Sequence, residues 1–294
     1  MSQNNKRLNY VSILGFGDAL VSLSMLQQVF PEPQQIRILG SSITAQIQTA
    51  IVGSQYELVE ITQAHAKTFS IRTSGLGDIL NEVYQVRRWS RQKLSGRDVV
   101  FFESPSLRNK ILFSGMGTKL ISPQRTDSAY RDRAKMLESY TGKSIYFPDC
   151  PLPEKRPESV LINPSARDPA RAISLPVLHN LRTYFQDRNV NIALMDPGAT
   201  YQTLATQFDE YYGPSDLATA AANLRRHQLY IGPDSLFTHL AYYYRIPSLT
   251  LVNVNPDFYF APPGTKQQGN YFSEADLLDA MQLPAKLDRF LHLS

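Results

Sequence analysis

The chain has 294 residues, of which 43% are hydrophobic, enough for two compact domains with cores of their own. Thirty basic against 26 acidic side chains leave a formal net charge of +4, a mild bias toward anionic ligands or acidic membrane surfaces that is too weak to indicate a nucleic-acid partner. The single cysteine, Cys150, excludes a disulfide framework or a cysteine-based zinc site within one chain and fits a reducing compartment.

The polar start MSQNNKRLNY, followed by an apolar stretch that Gly15, Gly17 and Asp18 interrupt, is not a signal peptide, and nowhere do about 18 apolar residues run together. A cytoplasmic protein is expected, with peripheral contact at the inner face of the plasma membrane left open. The first half alternates strand patterns at 9–14, 36–39, 56–61, 98–103 and 118–122 with helical patterns near 18–29, 41–51, 78–94, 105–114 and 129–142. Four prolines in YFPDCPLPEKRPE, residues 146–158, forbid regular structure and mark an interdomain linker. The alternation then restarts, with strands at 159–163, 190–195, 208–212, 228–232 and 247–253 and helices at 175–187, near 201–206, at 215–226 and at 235–245. Ser174 and Ser215 are the expected helix starts, and an amphipathic segment closes the chain at 274–292. This pattern predicts an α/β protein of two Rossmann-like domains, 1–150 and 151–294, facing each other across a cleft, with ligands at the carboxyl ends of the strands. The terminal helix is able to pack back on the first domain.

Chemistry is expected at strand-end loops. In LYIGPDSLFTHLAYYYRIPSLTLV, residues 229–252, a strand ends at Gly232, and Asp234 or Ser235 can cap a helix whose free amides and positive end suit a diphosphate. His239 can donate to phosphate or polarise an oxygen. From spacing alone, Asp234 serves equally well as a plain cap and His239 as a satisfied helix residue. In INPSARDPARAIS, residues 162–174, Asn163, Ser165, Arg167 and Arg171 follow a strand, where an arginine can neutralise a departing diphosphate. The loop MDPGATYQTL, 195–204, can approach a ribose or base.

The stretch ILGFGDALVSLSML, 13–26, opens like a dinucleotide fingerprint, but Leu20 replaces its third glycine, which disfavours a nicotinamide or flavin site. Asp18 there either caps the helix or accepts a proton from an incoming hydroxyl. A second Gly-Asp pair, in TSGLGDIL, makes Asp78 a helix start and the runner-up carboxylate. In QVRRWSRQKLSGR, 85–97, Arg87, Arg88, Arg91, Lys93 and Arg97 surround Trp89, a face either for an acidic lipid-linked glycan at a membrane or for water alone.

Three of these stretches, ILGFGDALVSLSML, VLINPSARDPARAISLPVLHNL and YIGPDSLFTHLAYYYRIPSLTL, resemble segments of the bacterial heptosyltransferase-like inverting glycosyltransferases, glycosyltransferase family nine, of GT-B fold. In order and spacing the resemblance spans nearly the whole chain, while roughly 60–145 matches little. It implies that Asp18 is the general base that deprotonates an acceptor hydroxyl, and that the anomeric configuration inverts. It implies donor contacts from Ser165 and Arg171, with Arg167 able to share the role, and from Asp234, Ser235 and His239. Leu236 stands where the family has glycine, and Gln202 where many members have an acidic ribose contact. The first domain would then bind the acceptor, with Gly17, Arg87 and Arg88 as contacts, and the second the donor. The implied donor is an ADP-heptose and the implied acceptor a lipopolysaccharide core or other surface glycan. No metal is then needed, because arginine and helix-terminal amides can carry the leaving-group charge, and no cofactor or nucleic-acid partner is expected. Two rivals stay open: a nucleotide-sugar epimerase of the same fold, and a catalytically silent nucleotide- or glycan-binding relative, for which Leu236 and Gln202 speak. A dinucleotide oxidoreductase ranks last.

Overall fold

Short, almost wholly apolar runs such as VVFF and SVLI are what strands covered on both faces require, and they build two all-parallel sheets. The computed structural model describes residues 7–13, 15–61, 76–105, 113, 118–166, 171–252, 258–279 and 283–291. It divides into two units, Met1–Tyr146 and Phe147–Ser294. The boundary falls ahead of Cys150 because the proline-rich segment is tied to the second unit: Cys150 N donates to Pro263 O at 2.9 Å, and the Tyr242 hydroxyl donates to Pro148 O at 2.7 Å.

In the first unit, strands β1 (Leu8–Ser12), β2 (Arg37–Gly40), β3 (Glu57–Glu60), β4 (Val99–Phe102) and β5 (Lys119–Ile121) lie in the order β3-β2-β1-β4-β5. Helix α1 (Phe16–Val29) follows β1, and α2 (Ser42–Ile47) follows β2 and closes in a π-helical turn, Gln48–Val52. Helices α3 (Leu76–Lys93) and α4 (Ala129–Thr141) precede β4 and follow β5. Because strand side chains alternate, Val11, Leu39, Val100 and Phe102 face one way and bury Val86 and Trp89 of α3. Tyr10 and Phe101 face the other, where the Tyr10 hydroxyl meets Ser22 of α1 and the Phe101 ring meets Tyr140 of α4. So α3 covers one face of the sheet, and α1 and α4 the other. The helix expected at 105–114 lies, but for Pro105 and Phe113, outside the described residues.

The second unit orders its strands β11-β10-β9-β6-β7-β8: β6 (Ser159–Ile162), β7 (Asn191–Met195), β8 (Glu210–Tyr212), β9 (Leu229–Pro233), β10 (Ser248–Val252) and β11 (Tyr271–Ser273). Helices α5 (Leu175–Gln186), α6 (Leu217–Leu224) and α7 (Leu236–Tyr243) connect them, with a 3-10 helix at Gln202–Gln207. Ser174 is the N-cap of α5, as expected. Helix α6, by contrast, is capped by Asp216 and not Ser215: the Asp216 carboxylate accepts Thr219 N at 2.7 Å, a stronger acceptor than a hydroxyl. The closing segment 274–292 follows β11 and is not one helix but two, α8 (Glu274–Leu278) and α9 (Leu283–Phe290). Pro284 lacks the amide that a continuous helix needs and is well suited to the first turn of a new one. Leu283, Leu287 and Phe290 of α9 are buried with Leu178 and Leu181 of α5 in the second unit's core.

In each sheet the strand order reverses once, between β1 and β4 and between β6 and β9. Connections leave in opposite directions at such a point and open a crevice at the strands' carboxyl ends. Among the described residues no helix is long and apolar enough to cross a membrane, and no group of three or more His, Cys, Asp or Glu side chains is placed to hold a metal ion.

Candidate functional site

At the first reversal, β1 ends at Ser12 and β4 at Phe102, and Glu103 follows with a buried carboxylate. Its Oε1 accepts the hydroxyls of Ser12 at 2.7 Å and Ser22 at 3.0 Å, and its Oε2 accepts Ile13 N at 3.1 Å. These bonds tie the start of the β1–α1 turn to the end of β4. Ser22 also meets the Tyr10 hydroxyl at 3.0 Å, and burial pushes that phenol above its ordinary pKa.

Above this lies an ion pair. Gly15 is the N-cap of α1, so Asp18 is not; it stands in the first turn, and its Oδ1 accepts from Nη2 of Arg133 on α4. The Arg133 side chain is 2% exposed and Asp18 22% exposed, so the guanidinium is sealed while the carboxylate keeps an open face. Arg133 Nε donates to Glu103 O at 2.8 Å and Nη1 to Asp18 O at 3.4 Å. Burial works against the guanidinium's charge, but Asp18 opposes it and the pKa ends above the ordinary arginine value. A buried arginine without a carboxylate is costly, so Asp18 and Arg133 fix each other's position. Gly17 lies in the same turn of α1.

At the second reversal, β6 leads into Asn163 and Ser165, and β9 into Asp234 and Ser235. Ser235 is the N-cap of α7, although its hydroxyl makes no capping bond, so Asp234 is free of that role. Arg171 Nη1 lies 3.4 Å from Asp234 Oδ2 and donates to Asp234 O at 3.3 Å. His239 Nε2 lies 4.0 Å from Asp234 Oδ1. One carboxylate thus stands between a guanidinium and an imidazole at a helix start. Ser165 N donates to Asn163 Oδ1 at 3.0 Å, which folds the β6 loop back on itself. Beneath, the buried Tyr230 ring runs along β9 over Gly232, and burial pushes its hydroxyl up to about 12.

Arg171, Asp234, Ser235, Leu236 and His239 therefore gather around the start of α7, with Ser165 across the same reversal. Leu236 has no left-handed backbone conformation, which among the described non-glycine residues only Asn189, Ala199 and Arg245 adopt. Its replacement of glycine is thus a matter of side-chain bulk alone. Gln202 is exposed at the start of the 3-10 helix after β7. Arg167 lies outside the described residues. Arg87 and Arg88 sit on α3, across the sheet from Asp18, and Trp89 is a core residue rather than the centre of their cluster. Asp78 lies in the first described turn of α3.

Arg133 and Glu103 escaped the sequence reading. Arg133 did leave a signal, a charge inside the apolar stripe of Tyr130, Ala134 and Leu137, and Glu103 another, a carboxylate directly after an apolar strand.

No protein-family model and no curated protein matches this sequence. Solved structures do match. E. coli heptosyltransferase WaaC with ADP-2-deoxy-2-fluoro heptose aligns at a TM-score of 0.66 and 16% identity over 96% of this chain and 99% of that one. A glycosyl transferase family 9 structure from Veillonella parvula gives 0.65 and 16% over 100% and 99%. E. coli ADP-heptose lps heptosyltransferase II gives 0.62 and 12% over 98% and 99%. The shared fold is the heptosyltransferase-like GT-B fold that the sequence resemblance implied.

Proposed function

We propose that this protein is an inverting glycosyltransferase that moves a sugar from a nucleoside diphosphate to a hydroxyl of a surface glycan. The observation that carries this reading is the cluster at the start of α7, where Arg171 and His239 converge on Asp234 at a strand-order reversal of a heptosyltransferase-like fold. A diphosphate placed there takes the Arg171 guanidinium and the free amides of α7, and the leaving group's charge is neutralised without a metal ion. Ser165 lines the β6 side of the donor, Arg167 shares the phosphate role of Arg171, Gln202 serves a ribose hydroxyl and Leu236 sets how closely the diphosphate approaches. An ADP-heptose is the donor we favour, since WaaC was solved with ADP-2-deoxy-2-fluoro heptose.

In the first unit, Asp18 accepts the proton of the acceptor hydroxyl as that oxygen attacks the anomeric carbon opposite the departing diphosphate. Arg133 holds the carboxylate in one orientation, and Glu103 holds the turn that carries it. Gly17 leaves room beside the acceptor. The acceptor we favour is a lipopolysaccharide core.

A thermal-shift panel with ADP, UDP, GDP, CMP and NAD tests the donor site, since a ligand bound only by the folded state raises its stability, by about 2.7 kcal/mol at one hundred times Kd. ADP is expected to raise Tm selectively, and Arg171→Ala to weaken ADP about tenfold through loss of a charge-assisted contact. No shift with any nucleotide, or a shift with NAD alone, overturns the reading.

A further inference from the structure

Asp196 follows directly on β7 and opens the loop that leads to Gln202, and its side chain is wholly buried. Oδ1 accepts Thr200 N at 3.0 Å and lies 3.5 Å from the Ser165 hydroxyl. Oδ2 accepts Tyr201 N at 2.6 Å and the Tyr211 hydroxyl at 3.1 Å. One carboxylate therefore gathers the loop after β6, the loop after β7 and strand β8. Tyr201 extends the link, because its hydroxyl donates to Ile173 O at 3.2 Å, close along the chain to Arg171. Burial first and Asp196 next hold the Tyr201 and Tyr211 phenols above their ordinary pKa, which keeps both as donors.

Capping the turn would need only the two amides. Ala199, just before them, has a φ of 53°, and such a left-handed backbone persists in a non-glycine residue only where its surroundings over-determine it. The hydroxyls of Ser165 and Tyr211 come from other strands and exceed what a cap requires: they set the β7 loop against its neighbours. We propose that Asp196 is a positioning residue for donor selection, fixing the 196–202 loop against Ser165 and the Arg171 segment so that Gln202 meets a ribose hydroxyl while Arg171 holds the diphosphate. This role rests on the donor reading above, and it adds that a ribonucleotide is told from a deoxyribonucleotide through a residue that never touches it. Asparagine at 196 keeps the volume but has one oxygen and an NH2 group in place of the other. The Ser165 and Tyr211 hydroxyls can turn to accept from that group, whereas Thr200 N and Tyr201 N cannot, so one backbone amide always faces a donor.

Titration calorimetry of the full chain with ADP, 2′-deoxy-ADP and 3′-deoxy-ADP tests it. The wild type is expected to prefer ADP several-fold over at least one deoxy analogue, since a site built to bond a hydroxyl rejects the ligand that lacks it. Asp196→Asn is expected to bind ADP about tenfold more weakly and to lose that preference. Gln202→Ala also loses it, and Asp196→Asn with Gln202→Ala discriminates no worse than either alone, because both changes act through one contact. Tyr211→Phe keeps the ring and removes one bond to Oδ2; it is expected to melt like the wild type and to reduce the preference about twofold, which keeps the role testable if Asp196→Asn does not fold. A purely structural role would weaken all three nucleotides alike. That result, a folded Asp196→Asn protein with its preference intact, an unchanged preference in Tyr211→Phe, or a wild type that binds ADP and both analogues equally overturns the role of Asp196 while leaving the donor site standing. A wild type that binds no nucleotide overturns the donor reading, and this role with it.

Discussion

Asp18→Asn lowers sugar transfer by roughly 10²-fold or more, the scale of general-base catalysis, while ADP affinity stays near that of the wild type. Affinity is retained because the donor contacts we assign all lie in the second unit. The same substitution also destabilises the first unit, because Arg133 is left as a buried guanidinium without its carboxylate, at a cost of about 3 kcal/mol. The two effects separate in a double variant. Asp18→Asn with Arg133→Met removes the charge pair and recovers most of the stability, since a buried pair replaced by an apolar side chain is often close to neutral. It does not recover transfer. Denaturant unfolding and an acceptor-dependent turnover assay on the three proteins check both statements. A double variant that regains transfer along with stability would make Asp18 a structural residue.

The second large effect lies under the donor site. An alanine Cβ at Gly232 would stand 2.1 Å from the Tyr230 hydroxyl oxygen, 2.6 Å from Tyr230 Cζ and 3.1 Å from the Asn163 carbonyl oxygen. The Tyr230 ring is fully buried and cannot swing aside, so β9 itself must shift. Gly232→Ala is therefore expected to cost about 3 kcal/mol and to displace Asp234, which follows at the end of the strand. Tyr230→Phe does not rescue it, because Cζ remains. Gly15→Ala is the contrasting case: its nearest neighbour would be Asp18 Oδ2 at 3.9 Å and its φ is −77°, so the change is expected to stay under about 1 kcal/mol. Unfolding midpoints and ADP affinities of the two variants measure the difference, and a Gly232→Ala protein with wild-type values would contradict the packing account.

The strands were legible because parallel strands buried on both faces are short apolar runs, and the alternation with helices was enough to place two Rossmann-like halves. β11 was not, since three residues with half-buried side chains carry too little pattern. The start of α7 stood out because a strand, a turn and an acid or hydroxyl before a helix are local signals. Its pairing with Arg171 did not, because that contact joins residues 63 apart in sequence. Arg133 is the sharper case: it reaches Asp18 across 115 residues, and only the folded chain tells a charge within an apolar stripe from an irregular pattern. Trp89 was misread for a related reason. Its neighbours in sequence are arginines, but its neighbours on the helix face are Val86 and the sheet, and burial follows the face.

The most direct measurement incubates the protein with ADP-heptose, with and without a lipopolysaccharide-core acceptor, and follows ADP release and the anomeric configuration of the product. The account predicts ADP release only when acceptor is present, with one inverted glycosidic bond formed per ADP. Turnover of the donor without acceptor would point to an epimerase, and tight ADP binding with no transfer to any surface glycan would make the protein a silent binder; either result contradicts the account.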